Sequence, residues 1–148
     1  MRNITYIVLE AQKQLILNPI DLAHDITHHY RVYEQSLKIN LKEKLNADQD
    51  LLIVCSWYHD LGGRRGEDTD LLRDLLSKHT NDVNFISKVI KIIREHSFGE
   101  TQSNLESKIL FDADKLEYVN SYRLLLFLRA YQDGFISEKK YKQYKKEW

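Results

Sequence analysis

The sequence predicts an all-α domain of about six to eight helices. One proline and five glycines in 148 residues leave few places to break a helix. Apolar residues recur every three or four positions, the period of a helix with one face buried. No internal repeat, low-complexity stretch or linker interrupts this pattern, so residues 1–148 read as a single domain.

The elements follow in order. Ile4, Ile7, Val8, Ala11 and Leu15 predict a first helix from Asn3 to Leu17, stopped by Asn18-Pro19. A second helix is expected from Asp25 to Leu45, with Tyr30, Tyr33, Leu37 and Leu41 as its apolar repeat. Asn46 or Asp48 caps a third, Gln49 to Leu61. Apolar residues nearly encircle that helix, which marks it as central and buried, and Gly62-Gly63 ends it. Asp70 to His79 reads as a short fourth helix. Asp82 to His96 is rich in β-branched residues, but the spacing of Ile86, Val89, Ile90 and Ile93 favours helix over strand. Leu105 to Tyr118, Ser121 to Tyr131 and Ser137 to Trp148 complete the set, with Tyr141, Tyr144 and Trp148 as a packing stripe.

Composition narrows the function classes. The 22 basic and 22 acidic residues cancel, which removes the bulk electrostatic case for nucleic-acid binding. A single cysteine, Cys55, rules out an intramolecular disulfide and a cysteine-based zinc site, and reads as an inert buried thiol. No apolar run approaches the roughly 18–20 residues of a membrane span, and no early segment has the layout of a signal peptide. The expectation is a cytoplasmic protein with no membrane partner; a homodimer stays open.

The histidines carry the chemical information. Three of the six fall in His24-Asp25-Ile26-Thr27-His28-His29, one heads His59-Asp60 at the end of the buried third helix, and His96 continues the inward stripe of the fifth. Imidazole nitrogen and carboxylate oxygen together suit divalent manganese, iron, cobalt, nickel or zinc. Adjacent His59 and Asp60 cannot share a helical face, so both reach one point only where the helix is ending. His29 and His79 read as surface histidines, His79 with the reach for a second metal.

The order His28, His59-Asp60, Asp114 resembles the HD-domain superfamily of phosphohydrolases. So do the segments His24-Asp25-x-x-His28-x-Tyr30-Arg31-Val32, His59-Asp60-Leu61-Gly62, His96-Ser97-Phe98 and Asp112-Ala113-Asp114-Lys115-Leu116. The likeness spans roughly residues 19 to 133. It implies a helical bundle holding a divalent ion (magnesium among the options) through His28, His59, Asp60 and Asp114. Periodicity leaves Asp112 and Asp114 both open, and the family pattern selects Asp114, with Asp112 as a supporting or capping residue.

The same resemblance implies hydrolysis of a phosphate ester or anhydride by a metal-activated water, the pKa of which can fall toward ~7. The implied partner is a small phosphorylated molecule, a nucleotide first of all. Asp60 is expected to ligate and accept the water proton; Arg31 and Lys115 to meet phosphate oxygens; and Glu67 or Asp68, in the loop after the pair, to act as an acidic helper. His96, His24 and Arg64 are further candidate substrate contacts, His96 also as a metal ligand and His24 also as a support for His28 or a second-metal ligand. Where one large subgroup has lysine after His-Asp-x-Gly, this chain has Gly63, Arg64 and Arg65, and it has no Gly-Tyr-Pro segment, against the cyclic-dinucleotide phosphodiesterase branch. Two other classes compete: a nucleotide-binding regulatory module that retains the metal, and a metallopeptidase using the His24-x-x-x-His28 spacing, which here lacks the glutamate such enzymes place after the first histidine.

Overall fold

A computed structural model describes residues 3–21, 23–63 and 65–146; Arg64, Trp148 and the side chain of Tyr144 lie outside the described residues. Among them are eight helices and no strand: α1 (Ile4–Leu17), α2 (Ile26–Lys42), α3 (Gln49–Tyr58), α4 (Thr69–Ser77), α5 (Val83–Glu95), α6 (Leu105–Tyr118), α7 (Ser121–Gln132) and α8 (Glu138–Lys146). None is long and apolar enough to cross a membrane.

Local chemistry sets the helix starts. Asn3, Asp25, Asp48, Asp68, Asp82, Asn104 and Asn120 each accept a hydrogen bond from a first-turn backbone N–H, satisfying donors that have no partner within the helix. This gives Asp68 a different occupation from the catalytic helper expected of it: its Oδ1 takes the Leu71 N–H at 2.9 Å and caps α4. Asp112 is exposed, with neither a capping nor a supporting position at the site.

α3 is the central helix, packed against α1, α2, α5 and α6. Leu51, Leu52, Val54, Cys55, Ser56, Trp57 and Tyr58 are all buried, as its encircling apolar pattern predicts. Ile7, Ala11 and Leu15 of α1 and Phe85, Ile86, Val89 and Ile93 of α5 close the core around it. Each of the larger aliphatic and Phe side chains among these stabilises the fold by about 1.5–3 kcal/mol when removed from water.

The inward face of α2 differs from the expected one. Tyr30 and Leu41 are exposed, while His28, His29, Val32 and Ser36 are buried. The helix turns its polar stripe inward because that stripe faces the ends of α3 and α6, where polar partners wait: Ser36 meets Ser56 at 3.1 Å. His29, read from sequence as a surface residue, is thus a wholly buried one.

α3 stops at Tyr58, before the glycines. Turns then carry the chain through Leu61 N–H to Tyr58 C=O and Gly63 N–H to Asp60 C=O. Gly63 has φ +85°, and a Cβ on Gly62 would lie 2.7 Å from Cγ of Leu72, so the turn after the pair favours glycine twice, once for conformation and once for space.

Candidate metal centre

Three helix ends and the middle of a fourth helix meet at one buried point. α2 contributes His28 from its first turn, α3 ends on His59-Asp60, α5 ends on His96, and α6 lays Asp114 across them. Nε2 of His28 and Nε2 of His59 are 3.1 Å apart. Oδ2 of Asp60 is 3.2 Å from the His59 nitrogen and 3.7 Å from the His28 nitrogen. Oδ1 of Asp114 is 3.4 and 3.8 Å from Nε2 of His28 and His59. His28, His59 and Asp60 thus form a group able to hold a metal ion, with Asp114 bordering it.

The tautomers explain why this is a donor cluster. Nδ1 of His59 lies 2.8 Å from the Ser56 carbonyl, which can only accept, so Nδ1 carries a proton. His96 makes the same bond to the Ile93 carbonyl. Burial works to lower the pKa of His59, but the carboxylates of Asp60 and Asp114 outweigh it and raise it to about 9. For Asp60, burial acts upward and His59 reverses it, leaving the carboxyl well below its usual range. Asp114 is lowered too, against burial, by His28, His59 and Lys115. The field at this point demands a cation. A proton on His59 answers it, and a divalent ion, whose binding would release that proton, would answer it too. Among the described residues, buried Oδ2 of Asp60 has no hydrogen-bond partner. A carboxylate held in its charged form suits a metal ligand.

The surrounding residues sort themselves by geometry. Lys115 Nζ donates to Oδ2 of Asp114 at 2.6 Å and lies 4.3 Å from the centre of the Phe98 ring. His96 is buried with its ring 5.3 Å from that of His59; burial and His59 push its pKa down to about 4. His24 uses both nitrogens elsewhere: Nδ1 donates to Asp21 at 2.8 Å and Nε2 accepts from Arg123 at 2.9 Å. The pair His24-x-x-x-His28 therefore does not converge as a peptidase zinc site would. His79 faces Glu10 across 3.7 Å, away from the cluster. Glu67 is exposed and accepts the Arg65 N–H at 3.1 Å, outside the converging group.

Arg31 pairs with a carboxylate of α6. Its Nε donates to Oε2 of Glu117 at 2.6 Å, and its Nη1 donates to Thr27 Oγ1 at 3.1 Å. Glu117, which sequence reasoning missed, lies 3.8 Å from Nδ1 of His28 and accepts from Asn120 at 3.1 Å. Arg31 therefore supports the carboxylate behind His28. A cleft of about 770 Å³ is lined by Tyr30, Arg31, Tyr33, Lys38, Glu117 and Asn120, and none of His28, His59, Asp60 and Asp114 lines it. Glu117 was findable: it follows Asp114 by three residues and shares its helical face.

A helical scaffold that converges two imidazoles and two carboxylates in a buried, cation-demanding point defines a metal-binding helical protein. The chain belongs to the HD-domain family, whose model matches residues 25–119. Among solved structures it is similar to a predicted HD superfamily hydrolase from an uncultured Thermotogales bacterium, at 29% sequence identity and a TM-score of 0.63, over 97% of this chain and 82% of that one. Comparison with curated proteins finds no match. Family and neighbour together place the chain in a superfamily of metal-dependent hydrolases.

Proposed function

We propose that this protein is a phosphohydrolase that uses a divalent ion held by His28, His59, Asp60 and Asp114 to cleave a phosphate ester or anhydride, with a nucleotide as substrate. The observation that carries the reading is the convergence of two imidazole Nε2 atoms with the buried oxygens of Asp60 and Asp114. A divalent ion supplies Lewis acidity there and lowers the pKa of water toward ~7.

The chain's own residues do the rest. Ser56 C=O fixes His59 with its bare nitrogen inward, and Glu117 stands behind His28 to the same end. Lys115, with its side chain 18% exposed, sits at the rim of the centre, where its ammonium can balance a phosphate oxygen as it balances Asp114. His96, fixed by the Ile93 carbonyl and poised beside His59, is the second group assigned to substrate. The zero net charge and the burial of the centre favour a phosphorylated metabolite over a polymer.

A panel of nucleotides and phosphorylated metabolites, offered with manganese, cobalt, nickel, zinc and magnesium and read by product identification, tests the proposal. Turnover should need metal and vanish in His59→Ala and Asp60→Ala, with helical content retained. Wild-type turnover and metal content in both variants would overturn the assignment.

A further inference from the structure

His29 has no task in the reading above, yet it is built into the centre. It is 0% exposed, and its ring lies 4.5 Å from that of His59. Its Nδ1 is 2.9 Å from the Asp25 carbonyl oxygen. That oxygen only accepts, so Nδ1 carries the proton and Nε2 is left with a bare lone pair. Among the described residues Nε2 has no hydrogen-bond partner, and it is sealed from solvent. It faces Oδ2 of Asp60 at 3.7 Å, and that oxygen is likewise buried and without a hydrogen-bond partner.

Two buried acceptors therefore face each other, and the nearest proton that could serve them is one on Nε2 of His59, 3.2 Å from Oδ2 of Asp60. Native interiors rarely leave even one such atom unsatisfied. A cation satisfies both lone pairs at once, and bonds of about 2.1 Å to nitrogen and to oxygen span a gap of this size with a bend at the ion. Oδ2 of Asp60 is also the oxygen nearest His59, so it joins His29 to the His28–His59 pair.

We propose that His29 is a further protein donor of the metal centre, its Nε2 and Oδ2 of Asp60 gripping a divalent cation between them. The inference rests on the reading of His28, His59, Asp60 and Asp114 as a metal centre. It also has a chemical consequence: an imidazole donor shifts preference away from magnesium, which takes oxygen, toward manganese, cobalt, nickel or zinc.

The test compares wild type with His29→Leu, which removes the lone pair and keeps apolar bulk, and His29→Gln, which offers an amide oxygen. Titration with cobalt(II), followed by elemental analysis, gives affinity and stoichiometry. The visible spectrum of bound cobalt reads the donor set, and thermal unfolding of the metal-free proteins reads packing. In His29→Leu we expect either one fewer bound ion or an affinity lower by about tenfold or more, with an altered cobalt spectrum. The metal-free protein should unfold no earlier than wild type, because an orphaned buried nitrogen has gone. His29→Gln should recover part of the affinity while its spectrum still differs, and it decides the matter alone if the leucine variant does not fold. Wild-type affinity, stoichiometry and spectrum in the folded variants would make His29 a packing residue and end the proposal. A wild-type protein that binds no divalent ion would sink the underlying reading of the centre instead.

Discussion

Replacing Glu117 with alanine should weaken metal binding although Glu117 is not placed as a ligand. The carboxylate is buried on α6, where Oε2 takes Nε of Arg31 at 2.6 Å and Oε1 takes the side-chain amide of Asn120 at 3.1 Å. Burial acts to raise its pKa, but His28, Arg31 and Asn120 together pull it down to about 2, so it is charged at neutral pH. Nδ1 of His28, buried and without another hydrogen-bond partner among the described residues, lies 3.8 Å from that charge. Loss of the carboxylate removes its bonds from Arg31 and Asn120, and a charge-assisted bond is worth about 1.5–3 kcal/mol; Arg31 is part-exposed, so the lower end applies to it and folding stability should fall by at least about 1.5 kcal/mol. It also frees the orientation of His28, the imidazole proposed as a ligand, for which a loss of about 10–100-fold in metal affinity is expected. Glu117→Gln keeps an acceptor oxygen without the charge and should restore much of the stability and part of the affinity. Arg31→Ala should behave as a milder version of the same lesion, lowering metal affinity where a phosphate contact would lower only substrate use. Urea unfolding of the metal-free proteins and competition titration with manganese measure the two effects. Wild-type metal affinity in Glu117→Ala would refute the argument, whatever happened to stability.

Two further outcomes follow from other parts of the molecule. Asp114→Asn should lose most metal and activity, since an amide oxygen is a poorer ligand, whereas exposed Asp112→Asn should stay within about twofold of wild type; metal content and turnover in the opposite order would move the motif by two residues. Glu10 joins α1 to α4 through Lys78 Nζ at 2.9 Å, and with help from Gln14 this holds its pKa at about 2, below the ordinary 4.5. A depressed folded-state pKa gives stability that is fully present above about 4.5 and lost as pH falls from there toward 2. The stability gap between wild type and Glu10→Gln should therefore narrow over that window and close near its lower end, and a gap independent of pH would exclude the ion pair as its cause.

Much of the fold was legible because its signals are local. The starts of α1, α3 and α5 lie within a residue or two of where periodicity placed them, and the apolar girdle of α3 identified the central helix. The face of α2 was misjudged for a physical reason: hydropathy counts His28, His29 and Ser36 as outward residues, and only the tertiary partners, Ser56, His59 and Asp60, make inward burial favourable. The same distance in sequence hid Arg123, which reaches His24 across 99 residues.

The centre itself shows which part of its geometry is locally coded and which is not. His59 and His96 each place Nδ1–H on the carbonyl three residues back, and His29 does so four residues back. For His59 and His96 those acceptors are last-turn carbonyls of α3 and α5, the kind of group that a helix end leaves without a partner. Each bond therefore satisfies backbone and fixes a tautomer, and it needs only the helix to end where it does. That rule is written within four residues, which is why the sequence around these histidines carried so much of the site. His28 is built otherwise. It sits inside the first turn of α2, its backbone N–H is taken by the Asp25 cap, and its Nδ1 looks across to Glu117 on α6. Its aim thus depends on a carboxylate from a distant helix, itself held by Arg31 one turn along α2. Of the imidazoles gathered here, His28 is the one that a single substitution far away in sequence can release, and the Glu117 variants measure how much of the metal affinity depends on that alignment.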